Sequence, residues 1–149
     1  PIDRAYSNYF LGVNGGKEKR EFDDLIEEEI RLINSRNKQV FFDETLSETY
    51  LGRGLYAEQL KVWFNEFPKD SVKIIKSEEF AEKTQDVMED IFQFLDLPKH
   101  KILNIEKKNV AKYPPMKKET RNKLEDFFHP HNKELYDLVG KNFGWDDQF

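Results

Sequence analysis

Arg4 and Ser7 stand three residues apart in the opening run Pro1-Ile2-Asp3-Arg4-Ala5-Tyr6-Ser7-Asn8-Tyr9-Phe10. On a helix that spacing puts a guanidinium and a hydroxyl on one face. Both fall within the first two turns, where unpaired backbone N–H groups and the helix dipole already attract phosphate. The chemistry on offer is retention of an anion, with Arg4 supplying charge and Ser7 a hydrogen bond. The local sequence favours the helix: Pro1 has no N–H to lose at a helix start, and Asp3 complements the positive end of the dipole. Such a pair is also what an ordinary solvated helix surface carries.

Other residues that could do chemistry carry less. Asp23, Asp24, Glu27, Glu28 and Glu29 cluster beside an apolar stripe and read as the acidic outer face of a helix. His129 and His131 bracket Pro130 with no third ligand in view, so they read as residues of a helix joint and no metal is expected. Between Pro98 and Met116 lie Lys99, Lys101, Lys107, Lys108 and Lys112 against one acid, Glu106. That surplus suits a wall facing a polyanion, and equally a solvated lysine loop.

The elements that must position these groups follow from the pattern. With 149 residues the chain is read as one domain, 1–149, with a core of its own. Thirteen Phe, 6 Tyr and 2 Trp supply apolar bulk despite 36% charged residues, which argues for a folded domain. A net charge of −5 argues against a nucleic-acid-coating role. The absence of cysteine excludes disulfides and thiolate metal sites, and leads us to expect a cytoplasmic setting. No apolar run has the length of a membrane span.

After the opening helix, Gly12 and Gly15-Gly16 predict a break. Phe22, Leu25, Ile26, Ile30 and Ile33 recur at helical spacing. Asn34 to Leu51 has no clean period and is a candidate acceptor-side loop. Tyr56, Leu60, Trp63, Phe64 and Phe67 form a helical stripe expected to pack on the core until Pro68. Ser71 to Glu78 is rich in β-branched residues and predicts a strand. A lone strand needs partners from elsewhere. Thr84 is placed to cap a helix through Val87, Met88, Ile91, Phe92 and Leu95. Thr120–Phe128 and Asn132–Val139 predict two helices split at Pro130, the second stopped by Gly140.

Taken together, these segments resemble the sulfotransferases that use 3′-phosphoadenosine 5′-phosphosulfate (PAPS), closest to the heparan sulfate N-sulfotransferase branch and its bacterial relatives. The run Pro1 to Tyr9 is similar to the family's 3′-phosphate-binding segment, and Ser7 matches its phosphate-binding serine. Gly54-Leu55-Tyr56 through Trp63 to Phe67-Pro68 resembles the family's Gly-x-Tyr-x-x-x-Leu-x-x-Trp-x-x-x-Phe-Pro. Ser77-Glu78 and Phe94-Leu95-Asp96-Leu97 match a strand end and a helix stop, with Asp96 where the family has Gly. Lys112-Tyr113-Pro114 matches the end of a basic loop, while Asn109-Val110-Ala111 replaces its Lys-Gly-Arg. Thr120-Arg121 through Phe127-Phe128 to Trp145 is like the family's C-terminal signature.

The resemblance implies an α/β, P-loop-kinase-like three-layer fold with a parallel sheet, of which this chain shows mainly the helical C-terminal half. It implies transfer of a sulfuryl group from PAPS, used as co-substrate without a metal, to a hydroxyl or amine of a small-molecule or carbohydrate acceptor. Cofactor binding would fall to Ser7, Arg4, Asn109 and Lys112, and acceptor contacts to Arg53 and Tyr56. Tyr56 could equally be the first core residue of its stripe. No Gly-rich Lys-Ser/Thr loop is visible, so no catalytic residue is assigned, and this segment alone is expected to be inactive. The start inside a motif, without Met, leads us to expect a longer polypeptide whose N-terminal half is a partner. The alternatives are a non-enzymatic helical protein-binding module and a kinase-like nucleotide enzyme on the same fold.

Overall fold

The computed structural model describes residues 1–36, 48–103 and 112–145. They form six α-helices, which we number α1 (Ile2–Asn14), α2 (Phe22–Ser35), α3 (Tyr56–Glu66), α4 (Ser77–Glu82), α5 (Thr84–Phe94) and α6 (Lys118–Val139), with short 3-10 turns at Gly52–Gly54 and Lys69–Ser71. The chain divides into two compact units, one of residues 1–66 with 111–149 and one of residues 67–110.

In the first unit, α1, α2, α6 and the 52–54 turn enclose one core. Leu25, Ile26, Leu51, Leu55, Leu124 and Phe128 are fully buried. Burying each such side chain stabilises the fold by roughly 1.5–3 kcal/mol. Around them stands an aromatic cluster in which Tyr6 and Tyr9 each lie 5.0 Å from the Phe22 ring. The outer side of α2 is tied to α6 by Asp23 with Lys117 and Thr120, and by Glu27 with Lys123. Asp3 of α1 meets Arg121 at 2.6 Å.

α1 forms where expected, but it runs through Gly12 to Asn14. A Cβ at Gly12 would lie 2.8 Å from the Tyr50 hydroxyl, so this glycine serves a close approach and the break comes at Gly15-Gly16. α6 is one helix of 22 residues with Pro130 inside it, where two were expected. A proline there costs about 3 kcal/mol through its missing N–H and ring clash. The helix continues because Leu124 and Phe128 before the proline, and Asn132 and Leu135 after it, are all buried. Asn132 is therefore an interior residue and not a helix cap. Gly140 ends the helix at φ 68, its N–H donating to the Tyr136 carbonyl.

In the second unit the strand expected over Ser71 to Glu78 is absent, and no strand occurs among the described residues. Val72 does adopt extended backbone, φ −119 and ψ 111, as its branched side chain favours. Without a ladder partner that preference makes no sheet. Thr84 begins α5 but does not cap it: its hydroxyl donates back to the Phe80 carbonyl at 2.7 Å. Gln85 accepts the Ile102 N–H at 2.9 Å and so fastens the segment after Pro98 to α5. Asp96 has φ 54, the left-handed conformation for which Asp is a tolerable substitute for Gly.

Candidate functional site

Ser7 lies two residues from each of the buried Ala5 and Tyr9. Two residues are roughly 200° of helix, so its side chain leaves the face opposite the core. It is half-buried, and its hydroxyl has no hydrogen-bond partner among the described residues. Near it, Tyr113 stacks on Phe10 at 5.2 Å with the rings 7° from parallel, and meets Tyr6 edge-on at 5.5 Å. These contacts fasten the segment carrying the exposed Lys112 to the helix that carries Ser7. Asn109 lies outside the described residues.

Arg4 takes a different part. It is half-buried, and its guanidinium donates to the Tyr50 carbonyl and hydrogen-bonds the Tyr56 side chain. Burial lowers its pKa, and the contacts with Tyr56 oppose that shift. Arg53 lies near enough to repel it. The structure thus gathers Arg4, Arg53 and Tyr56, which sequence reasoning had divided between a cofactor side and an acceptor side. Arg53 projects exposed from the 52–54 turn, and Tyr56 opens α3 with its ring 5.8 Å from Trp145.

The turn can sit so close to the core because of Gly54. A Cβ there would lie 2.8 Å from the Phe128 ring and 3.1 Å from Pro1. Within α3 the expected core stripe holds only in part: Ala57 is buried, whereas Trp63 is 56% exposed. Lys61 of α3 pairs with Glu134 of α6.

Glu29 is the residue sequence reasoning missed. Placed with the solvated acids, it is in fact buried, and its two carboxylate oxygens accept the Tyr50 N–H at 2.9 Å and the Leu51 N–H at 2.8 Å. Desolvation pushes its pKa up, and the two backbone bonds oppose the rise. The signal was present in the spacing: Glu29 stands seven residues after Phe22 and four before Ile33, inside the apolar stripe. Among the described residues no group of three or more His, Cys, Asp or Glu is placed to hold a metal ion, and no helix is long and apolar enough to cross a membrane. His131 packs on Phe127 at 5.2 Å.

Comparison with known proteins places these features. The family profile described as the sulfotransferase domain matches residues 1–149. Carbohydrate sulfotransferase 15 of Nototodarus sloanii is 33% identical over 116 residues, covering 68% of this chain and 73% of that protein. The membrane-associated sulfotransferase kil1 of Dictyostelium discoideum is 32% identical over 95 residues, covering 64% of this chain and only 20% of its own. A crystal structure of a sulfotransferase from Alicyclobacillus acidocaldarius superposes with a TM-score of 0.74 at 27% identity, covering 99% of this chain and 54% of that one. The chain thus spans about half of that solved structure and a fifth of kil1. On its sequence and its fold, this chain belongs to the sulfotransferase domain family.

Proposed function

We propose that the protein transfers a sulfuryl group from PAPS to a hydroxyl or amine of a carbohydrate or smaller acceptor. In such a step the sulfur–oxygen bond to the 5′-phosphate breaks, a bond to the acceptor oxygen or nitrogen forms, and the acceptor proton passes to a base. Adenosine 3′,5′-bisphosphate leaves. We assign this segment the grip on the nucleotide's 3′-phosphate, through Ser7 with Arg4, Asn109 and Lys112, and the acceptor-side wall, through Arg53 and Tyr56. No residue here is assigned to the phosphosulfate cradle or to the base.

The observation that carries the reading is the Ser7 hydroxyl. It stands in the second turn of α1, turned away from Ala5 and Tyr9, without a protein partner among the described residues. A hydroxyl left without a protein partner is suited to donate to a phosphate oxygen. Arg4 adds positive charge nearby, although its hydrogen-bonding edge is engaged by Tyr50 and Tyr56. The family membership and the carbohydrate sulfotransferase among the relatives support the reaction type.

The test is thermal. Adenosine 3′,5′-bisphosphate at about 100 times its Kd should stabilise the full-length polypeptide by roughly 2.7 kcal/mol, read as a higher melting temperature. Ser7→Ala should remove most of that rise while leaving the unliganded melting temperature nearly unchanged, as expected for a half-buried hydroxyl that makes no protein hydrogen bond. If the nucleotide does not shift the full-length protein at all, the binding-module alternative gains. If Ser7→Ala binds it as well as wild type, the assignment of Ser7 fails.

A further inference from the structure

The buried carboxylate of Glu29 has no part in the proposed chemistry, yet it holds the backbone from which two assigned acceptor residues depart. Its oxygens take both N–H groups of the Tyr50-Leu51 pair, at 2.9 and 2.8 Å. From the other side, the Arg4 guanidinium donates to the Tyr50 carbonyl. Tyr50 is therefore gripped through its N–H by α2 and through its C=O by α1. Directly after it, the Gly52 N–H donates to the buried Thr49 hydroxyl at 3.0 Å, closing the turn that presents Arg53 and leads into Tyr56.

A buried carboxylate is costly unless its oxygens are satisfied, and a simple core position would be filled better by leucine. Spending a buried acid on two adjacent N–H groups makes sense where a stretch of backbone has to be held in one place. We infer that Glu29 is a positioning residue that, with Arg4, fixes the 50–54 turn so that Arg53 and Tyr56 meet the acceptor. This rests on the proposed reading of that turn as the acceptor side.

The test uses the full-length polypeptide. Glu29→Gln keeps the shape but sets an NH2 group against one backbone N–H, so one of the two bonds is lost. Hydrogen exchange at the Tyr50 and Leu51 amides should then accelerate about tenfold or more. With desulfated heparan and chondroitin as acceptor probes, the acceptor KM should rise about tenfold while kcat stays within about twofold. The KM for PAPS should not move.

Glu29→Asp, which retains two acceptor oxygens, should recover part of the acceptor KM. It also replaces Glu29→Gln in every comparison if the latter fails to fold. In an Arg53→Ala background the effect of Glu29→Gln on acceptor KM should shrink, because a residue that is gone cannot be misplaced and only Tyr56 is left to be displaced. A purely structural role would instead lower the folded fraction, and with it kcat, at unchanged KM. Unchanged exchange at Tyr50 and Leu51 would overturn the inference, as would faster exchange with an unaltered acceptor KM. If the wild-type polypeptide sulfates neither probe, the exchange at Tyr50 and Leu51 still decides whether Glu29 holds the turn.

Discussion

Glu18, in the connection between α1 and α2, and Glu29, inside α2, are carboxylates with opposite environments. Arg20 hydrogen-bonds Glu18 through its side chain and backbone, and the Lys19 N–H adds a further bond, holding the Glu18 pKa at about 2 against an ordinary 4.5. Because the folded value lies below the unfolded one, Glu18 contributes stability above pH about 4.5 and loses it as pH falls through about 2. Glu18→Gln should therefore melt below wild type near neutral pH, and the gap should narrow between pH 4.5 and 2. A gap that stays constant across that window would show that the ion pair does not set it. Glu29 has the reverse sign: burial raises its pKa, so its ionisation removes stability as pH rises through the region above the ordinary value. Neither role follows from residue type. Glu18 needs Arg20 two places on to fold back over it, and Glu29 is distinguished from Glu28 only by facing Leu25 and Ile33.

The helices were legible where their pattern was local. α1, α2 and the stop of α6 at Gly140 follow from spacing, a proline start and a glycine able to take φ 68. Asp96 was legible through the resemblance, as the residue standing where the family has Gly, and it does take φ 54. What failed was decided by distant partners. Pro130 signals a helix end to any local rule, and only the burial of side chains on both sides of it carries α6 through. Residues 72–76 have a strand's composition but no neighbouring strand among the described residues. The joint between α3, the 52–54 turn and α6 gives a direct check. Gly54→Ala would drive a methyl to within 2.8 Å of the Phe128 ring and should cost about 1–3 kcal/mol, read as a lower urea midpoint. An unchanged midpoint would mean that the ring yields freely.

Across the molecule, the two units differ in how much they enclose. Every buried side chain among the described residues belongs to the first unit, whereas residues 67–103 are all half-buried or exposed, Leu95 at 54% and Leu97 at 50% among them. Backbone hydrogen bonds with so little apolar cover open more readily. Amides of α4 and α5 should therefore exchange faster than those of α1, α2 and α6 in residues 1–149 studied as a single polypeptide. Equal protection would contradict this. The family was legible because its segments occur in order along the whole chain, although each is weak alone. The site was legible as residue types only. That Arg4 would turn to Tyr50 and Tyr56, leaving the Ser7 hydroxyl to itself, depends on how α1 meets the turn.

The grip on Tyr50 has a consequence for the helix that supplies it. Arg36 at the end of α2 pairs with Glu58 of α3 at 3.3 Å, and Glu29 in the middle of α2 holds Tyr50, so α2 braces both the entry to the 52–54 turn and the first turn of the helix that leaves it. A tilt of α2 would therefore carry both ends of that corner with it, and the corner would keep its own shape while it moved.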